Sequence, residues 1–133
     1  MLKATDIRIG NLLSHKGKIS PVECIDSKEV NQIERVMLGY PVASFVYDEG
    51  ELAGIPLSEE WLRKFEFILA VVPDYIDAAG QLTTGDSHWI SQDEGFCLHF
   101  HNGEALHGKR RIHYVHQLQN LYHALTGEEL VKR

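Results

Sequence analysis

The sequence predicts an α+β fold built mainly of antiparallel strands. It places a small barrel-like part at the N-terminus, one short helix in the middle and one amphipathic helix at the C-terminus. Three observations carry this. Residues 115–130 show helical periodicity followed by a stop signal. Most of the remaining chain consists of short β-prone runs separated by Gly, Asn and Asp turns. Apolar content of 44% and charged content of 24% are ordinary for a chain with a packed core.

At 133 residues the chain is read as one domain, with a barrel-like front over 1–57 and the helix, strands and closing helix over 58–133. Residues Ile7 to Leu13 read as a first strand, interrupted at Gly10-Asn11. His15-Lys16-Gly17-Lys18 is a turn. Ile19 to Ile25 is a second strand, in which Pro21 implies an edge position or a bulge. Val30 to Leu38 fits two states. Val30, Ile33 and Met37 have helical spacing, with Ser27 as a cap and Gly39 and Pro41 as a stop. Val30, Ile33 and Val36 are also β-branched, which suits a strand. Ser44 to Tyr47 and Glu51 to Ile55 flank Asp48-Glu49-Gly50, a hairpin signal.

A helix should start at Leu57-Ser58-Glu59-Glu60-Trp61-Leu62. Ser58 is placed to cap it, the two glutamates suit the positive end of its dipole, and Leu57 and Leu62 suit a hydrophobic staple. Phe67 to Val72 is nearly all apolar and reads as a buried strand. Pro73 to Asp86 reads as a long surface loop with at most one irregular strand. His88 to Ser91, Phe96 to His101, Glu104 to His107 and Arg111 to Tyr114 read as short strands. Asp93-Glu94-Gly95 and Asn102-Gly103 are the expected turns.

The closing helix is expected from about Val115 to Leu125, on a surface supplied by the strands before it. Val115, Leu118, Leu121, Tyr122 and Leu125 fall on one stripe roughly 120° wide at about 100° per residue. His116, Asn120 and His123 fall opposite, on what should be a solvated face. Gly127 marks the C-terminal stop. The expected core is Trp61, Phe65, Phe67, Leu69, Leu98, Phe100, Leu118, Tyr122 and Leu125.

Net charge is −6, which argues against a protein built mainly to grip nucleic acid. No apolar run is long enough to span a bilayer, and the N-terminus lacks a signal-peptide pattern. The expectation is a cytoplasmic protein with Cys24 and Cys97 as reduced, half-buried thiols, although spacing alone leaves a bridge between them open.

Three blocks have a shared look. They are Arg8-Ile9-Gly10-Asn11-Leu12, then Ile55-Pro56-Leu57-Ser58-Glu59-Glu60-Trp61-Leu62-Arg63-Lys64-Phe65, then Val115-His116-Gln117-Leu118-Gln119-Asn120-Leu121-Tyr122 continuing to Leu125-Thr126-Gly127-Glu128-Glu129-Leu130. In this order they resemble a family of small uncharacterised bacterial proteins, often borne on phage and other mobile elements. The resemblance implies a single cytosolic domain with a small antiparallel barrel at its front, which favours the strand reading of Val30 to Val36. It carries no activity, ligand or catalytic residue.

Several residues have the chemistry for a site. Cys97, His99 and His101 alternate along one strand and so share a face, and thiolate and imidazole are the ligands zinc prefers. The spacing matches no zinc knuckle, adjacent same-face residues on one strand rarely all reach one ion, and a polar outer face is the simpler reading. Lys109-Arg110-Arg111 is a basic cluster able to touch phosphate, with no aromatic platform beside it in sequence. Gly85-Asp86-Ser87-His88 resembles the nucleophile block of one lipase class, but the matching Asp-x-x-His is missing and a turn explains the glycine and serine. Neighbouring carboxylates such as Asp93-Glu94 and Glu128-Glu129 diverge, and no glycine loop for phosphate is present.

The sequence therefore points away from an enzyme, and no cofactor is expected. The leading expectation is a non-catalytic interaction module of a phage or mobile-element system, with an unknown protein partner. The alternatives are an accessory nucleic-acid binder using the barrel front and Lys109 to Arg111, and a metal-binding protein built on His99, His101 and Cys97.

Overall fold

The computed structural model describes residues 6–29, 32–47, 51–70, 75–76, 79–80, 82–83, 87–91, 95–101 and 104–130. The chain divides into two compact units. One combines residues 1–56 with 114–130, and the other spans residues 57–113 with 131–133.

In the first unit, β1 (Leu12–His15), β2 (Lys18–Glu29), β3 (Gln32–Leu38), β4 (Ser44–Val46) and β5 (Leu52–Ala53) form one antiparallel sheet in the order β4-β3-β2-β1-β5. The sheet curls into a half-barrel, as the barrel-like front expected from sequence requires. β1 and β2 meet at Lys16-Gly17, where φ is +48° and +81°, the twist a two-residue hairpin needs. β2 is central rather than an edge, and Pro21 is accommodated by the bulge alternative. Its carbonyl accepts from Gly39 N–H at 2.8 Å, and the register with β3 shifts between Val22 and Cys24. Such shifts bend a strand and help a sheet to curl.

Residues 32–38 are a strand, not a helix, and Val30 lies outside the described residues. The expected hairpin across Asp48-Glu49-Gly50 does not form. β4 pairs with β3 and β5 pairs with β1, at opposite edges of the sheet. A flat sheet would hold those edges roughly 19 Å apart. The six steps from Val46 to Leu52 reach about 21 Å only at full extension. Curling relieves that reach; Asp48-Glu49-Gly50 themselves lie outside the described residues. Ile7, Leu13, Val22, Val36, Leu38, Val46 and Leu52 make the core of this sheet.

The N-terminal segment is also shorter as a strand than expected. Residues 9–10 turn, with Gly10 at φ +95°, and pairing starts only at Leu12. α2 (Val115–Thr126) belongs to this unit and packs on β1. Gln117 Oε1 accepts from Tyr114 N–H at 3.1 Å at its start, and Gly127 at φ +78° ends it.

In the second unit, α1 (Glu59–Lys64) opens with Ser58 at the N-cap position. Ser58 makes no side-chain cap bond; its carbonyl accepts from Trp61 and Leu62 N–H instead. β6 (Ile68–Ala70), β9 (Ser87–Ile90), β10 (Cys97–His101), β11 (Glu104–His107) and β12 (Arg110–Ile112) form an antiparallel sheet in the order β12-β11-β10-β9-β6. β7 (Tyr75–Ile76) and β8 (Leu82–Thr83) pair separately, so the expected long loop contains a two-stranded ladder. Trp61, Leu62, Phe65, Phe67, Trp89, Phe96, Leu98, Phe100, Ala105 and Ile112 are buried.

Two core expectations fail. β6 is an edge strand, and Leu69 is 41% exposed. Leu125 is 58% exposed because α2 is rotated away from its apolar stripe. Its buried residues are Leu118, Tyr122, Val115, Gln119 and His116. That arc is centred about 60° from the arc of the apolar periodicity. Both cysteines are free and exposed rather than half-buried. No helix among the described residues is long and apolar enough to cross a membrane.

Candidate functional site

The outer face of β2, β3 and β4 holds a cluster of unusual composition. Asp26 on β2 lies opposite Arg35 on β3, and Met37 on β3 lies opposite Phe45 on β4. Alternation along a strand puts Arg35 with Met37, and Phe45 with Tyr47, on the side away from buried Val36 and Val46. Arg35 Nε donates to Asp26 Oδ2, and its guanidinium sits 4.3 Å from the centre of the Phe45 ring. The Phe45 and Tyr47 rings are 6.3 Å apart and tilted by 44°. Hydrogen bonds to Asp26 and then to Tyr47 raise the Arg35 pKa above its ordinary value, so the guanidinium stays charged and held.

Phe45 is 38% exposed, Tyr47 67% and Tyr40, in the turn after β3, 86%. Tyr, Phe, Met and Arg are the side chains enriched where proteins bind one another. The sequence carried a signal for this cluster. Phe45 and Tyr47 alternate with Val46 in a short strand, so burying the valine turns both rings to solvent.

A second polar assembly joins the chain ends. Arg8, Asn11, Gln119, Asn120 and Glu129 hydrogen-bond together, so Asn120, expected on a solvated face, is half-buried. Asn120 Oδ1 accepts from Arg8 Nε at 2.9 Å and Asn11 Nδ2 at 2.8 Å, while its Nδ2 donates to the Asp6 carbonyl at 2.9 Å. Gln119 Oε1 accepts from Leu12 N–H at 2.9 Å, and Gln119 Nε2 donates to the Gly10 carbonyl at 3.2 Å. These bonds select the face that α2 presents to β1. The assembly is satisfied internally, so it reads as structural.

His116, expected beside Asn120 in solvent, is fully buried. Its ring stacks on Tyr114 with centroids 5.7 Å apart, and Nδ1 has no hydrogen-bond partner among the described residues. Burial lowers its pKa, with Asp6 opposing. His123 is half-exposed, 3.8 Å from Glu129.

In the second unit, Cys97 and His99 do share the outer face of β10, opposite buried Leu98 and Phe100. The His101 side chain lies outside the described residues. His99 stacks on His88 of β9, ring centres 5.5 Å apart, while His107 stacks on Phe96 at 4.8 Å. Among the described residues no three His, Cys, Asp or Glu side chains gather as a metal site would require. Lys109 lies in the turn before β12. Arg110 and Arg111 are successive strand residues and point to opposite faces, so the cluster is not one patch. Arg111 also pairs with Glu104 at 3.3 Å.

Ser87 is hydrogen-bonded on two sides among the described residues. Its hydroxyl donates to Glu59 Oε1 at 2.7 Å and accepts from Trp89 Nε1 at 3.3 Å. Here the serine links α1 to β9.

Compared with family models, curated proteins and solved structures, the chain matches none.

Proposed function

We propose that the protein is a non-catalytic interaction module whose working surface is the Arg35–Phe45–Tyr47 face of the half-barrel. The observation that carries this reading is the exposure of Phe45 and Tyr47 around an arginine fixed by Asp26. Placing large rings in water gives the fold nothing. Placing them beside an ordered guanidinium provides an anchor that has little conformational freedom left to lose on binding. The setting in a phage or mobile-element system rests on the three-block resemblance alone.

The test is capture from bacterial extract with the wild-type chain and with Phe45→Ala/Tyr47→Ala. A partner retained by the first and lost by the second supports the reading. Equal capture by both removes this face from it.

A further inference from the structure

We infer that His88 of β9 and His99 of β10 form an open, two-histidine site for a late first-row divalent metal ion. The site belongs to the second unit and is independent of the reading given to the Arg35–Phe45–Tyr47 face.

Register makes the pair. His88 lies directly opposite His99 in the antiparallel ladder, and buried Trp89 and Leu98 between their neighbours turn both imidazoles to the outer face. Direct cross-strand partners have Cβ atoms about 4.5–5.5 Å apart, whereas same-face neighbours along one strand are about 6.6–6.8 Å apart. The nearest partner for His99 therefore comes from β9. Cys97, two residues before His99 on the same face, stands further off.

The ring separation suits a shared ion. A zinc–nitrogen bond of about 2.0–2.1 Å places an imidazole centre about 3.2 Å from the metal, so two rings at a tetrahedral angle stand about 5.2 Å apart. The His88 and His99 ring centres are 5.5 Å apart, with planes 23° from parallel. Turning the rings brings both onto one ion while the strands stay in place.

The surroundings do not oppose a cation. The row continues with Ala70 of β6 beside His88 and Leu106 of β11 beside His99, neither of them charged. Arg111, next along the row, is paired with Glu104 at 3.3 Å. Among the described residues no third His, Cys, Asp or Glu joins the pair. Two positions of a tetrahedral ion thus stay open to water or to a donor from another molecule.

Donor chemistry selects the ion. Mg²⁺ and Ca²⁺ take oxygen ligands. Late first-row ions take imidazole, and Cu²⁺ binds more tightly than Ni²⁺ or Zn²⁺.

The experiment titrates the full, ¹⁵N-labelled chain with Zn²⁺ at neutral pH, and in parallel with Mg²⁺. The expected result is saturable shifts at one Zn²⁺ per chain, centred on residues 87–90 and 97–99, with no response to Mg²⁺. His88→Gln and His99→Gln should each weaken binding at least about tenfold, and Cys97→Ser should change it less than about twofold. The shift map of the unaltered chain locates the site by itself, so it stands even if a variant folds poorly. No saturation by about 1 mM Zn²⁺, shifts centred on other histidines, or binding unchanged by either histidine substitution overturns the inference. A loss in Cys97→Ser as large as in the histidine variants also overturns it, because the ion would then be held by a thiolate.

Discussion

Arg8 and Glu129 stand 121 positions apart in the chain and meet through two parallel hydrogen bonds, Nη1 to Oε1 at 2.7 Å and Nη2 to Oε2 at 3.2 Å. The forked pair is the outer end of the polar assembly that fixes α2 against the start of β1. Residues of the first and last of the three sequence blocks, Arg8 and Asn11 with Gln119, Asn120 and Glu129, meet in this assembly. The reason for their composition is thus a fold contact between chain ends.

The assembly should lose stability unevenly when cut. The Arg8–Glu129 pair is partly exposed, so Glu129→Gln should cost no more than about 1 kcal/mol. Gln119 is buried and serves both Leu12 N–H and the Gly10 carbonyl. Gln119→Leu strands both groups and should cost about 2–4 kcal/mol. Urea titrations of the two variants check the order. A larger loss for Glu129→Gln would mean that the ion pair, not the buried amide, holds the helix.

The rotation of α2 gives a second contrast. Leu118→Ala should cost about 2–5 kcal/mol, because Leu118 is fully buried. Leu125→Ala should cost under about 0.5 kcal/mol, since its side chain is mostly in water. Apolar periodicity alone would give the two leucines equal weight.

That difference shows where sequence was sufficient. Periodicity found α2, and Gly127 found its end, because both signals are local. The rotation was hidden because Gln119 and Asn120 are held by partners more than a hundred residues away. The strands of the second sheet were likewise legible from alternation, as in Leu98 and Phe100 against Cys97 and His99. Asp48-Glu49-Gly50 misled because a turn signal does not say which strands its neighbours will pair with. Leu69 misled because an apolar strand at a sheet edge has the same sequence as one at its centre. The candidate site was missed because Arg35 comes from β3 and the two rings from β4 and the residue after it, and only the register of β3 with β4 brings Arg35 to Phe45.

Gly54 lies where a side chain would collide. A Cβ there would stand 2.8 Å from Tyr114 Cδ1 and 3.0 Å from His116 Cε1. Tyr114 is stacked on His116, and His116 is buried, so the imidazole has no free space to move into. Gly54→Ala should therefore cost about 1–3 kcal/mol. A thermal melt unchanged by the substitution would show that the stacked rings give way easily.

Glu66 is a site for gain. It follows the C-cap of α1 with φ +62°, while Glu66 N–H donates to the Arg63 carbonyl and Phe67 N–H to the Leu62 carbonyl. This closing pattern usually places glycine at the left-handed position, because a Cβ is strained there. Glu66→Gly should relieve the strain and, after the added freedom of the unfolded chain, stabilise by about 0.5–1 kcal/mol. Chemical denaturation reads this directly. A loss would mean that the Glu66 side chain contributes more than its backbone strain costs.

His116 and Glu129 should together make the fold sensitive to acid, in separate pH windows. Burial holds the folded-state pKa of His116 below its ordinary 6.5. The unfolded chain therefore takes up a proton that the folded chain refuses. Stability from this group is complete above pH 6.5 and falls as pH decreases, until the folded pKa is reached. The hydrogen bond from Arg8 holds Glu129 below its ordinary 4.5, so its contribution is present above that pH and is lost as pH falls through the folded value. His116→Leu should flatten the upper part of the profile and leave the lower part in place. Glu129→Gln should do the reverse. Denaturation midpoints at closely spaced pH values from neutral to acid would resolve the two. A His116→Leu profile that still falls just below pH 6.5 would assign the upper window to another histidine.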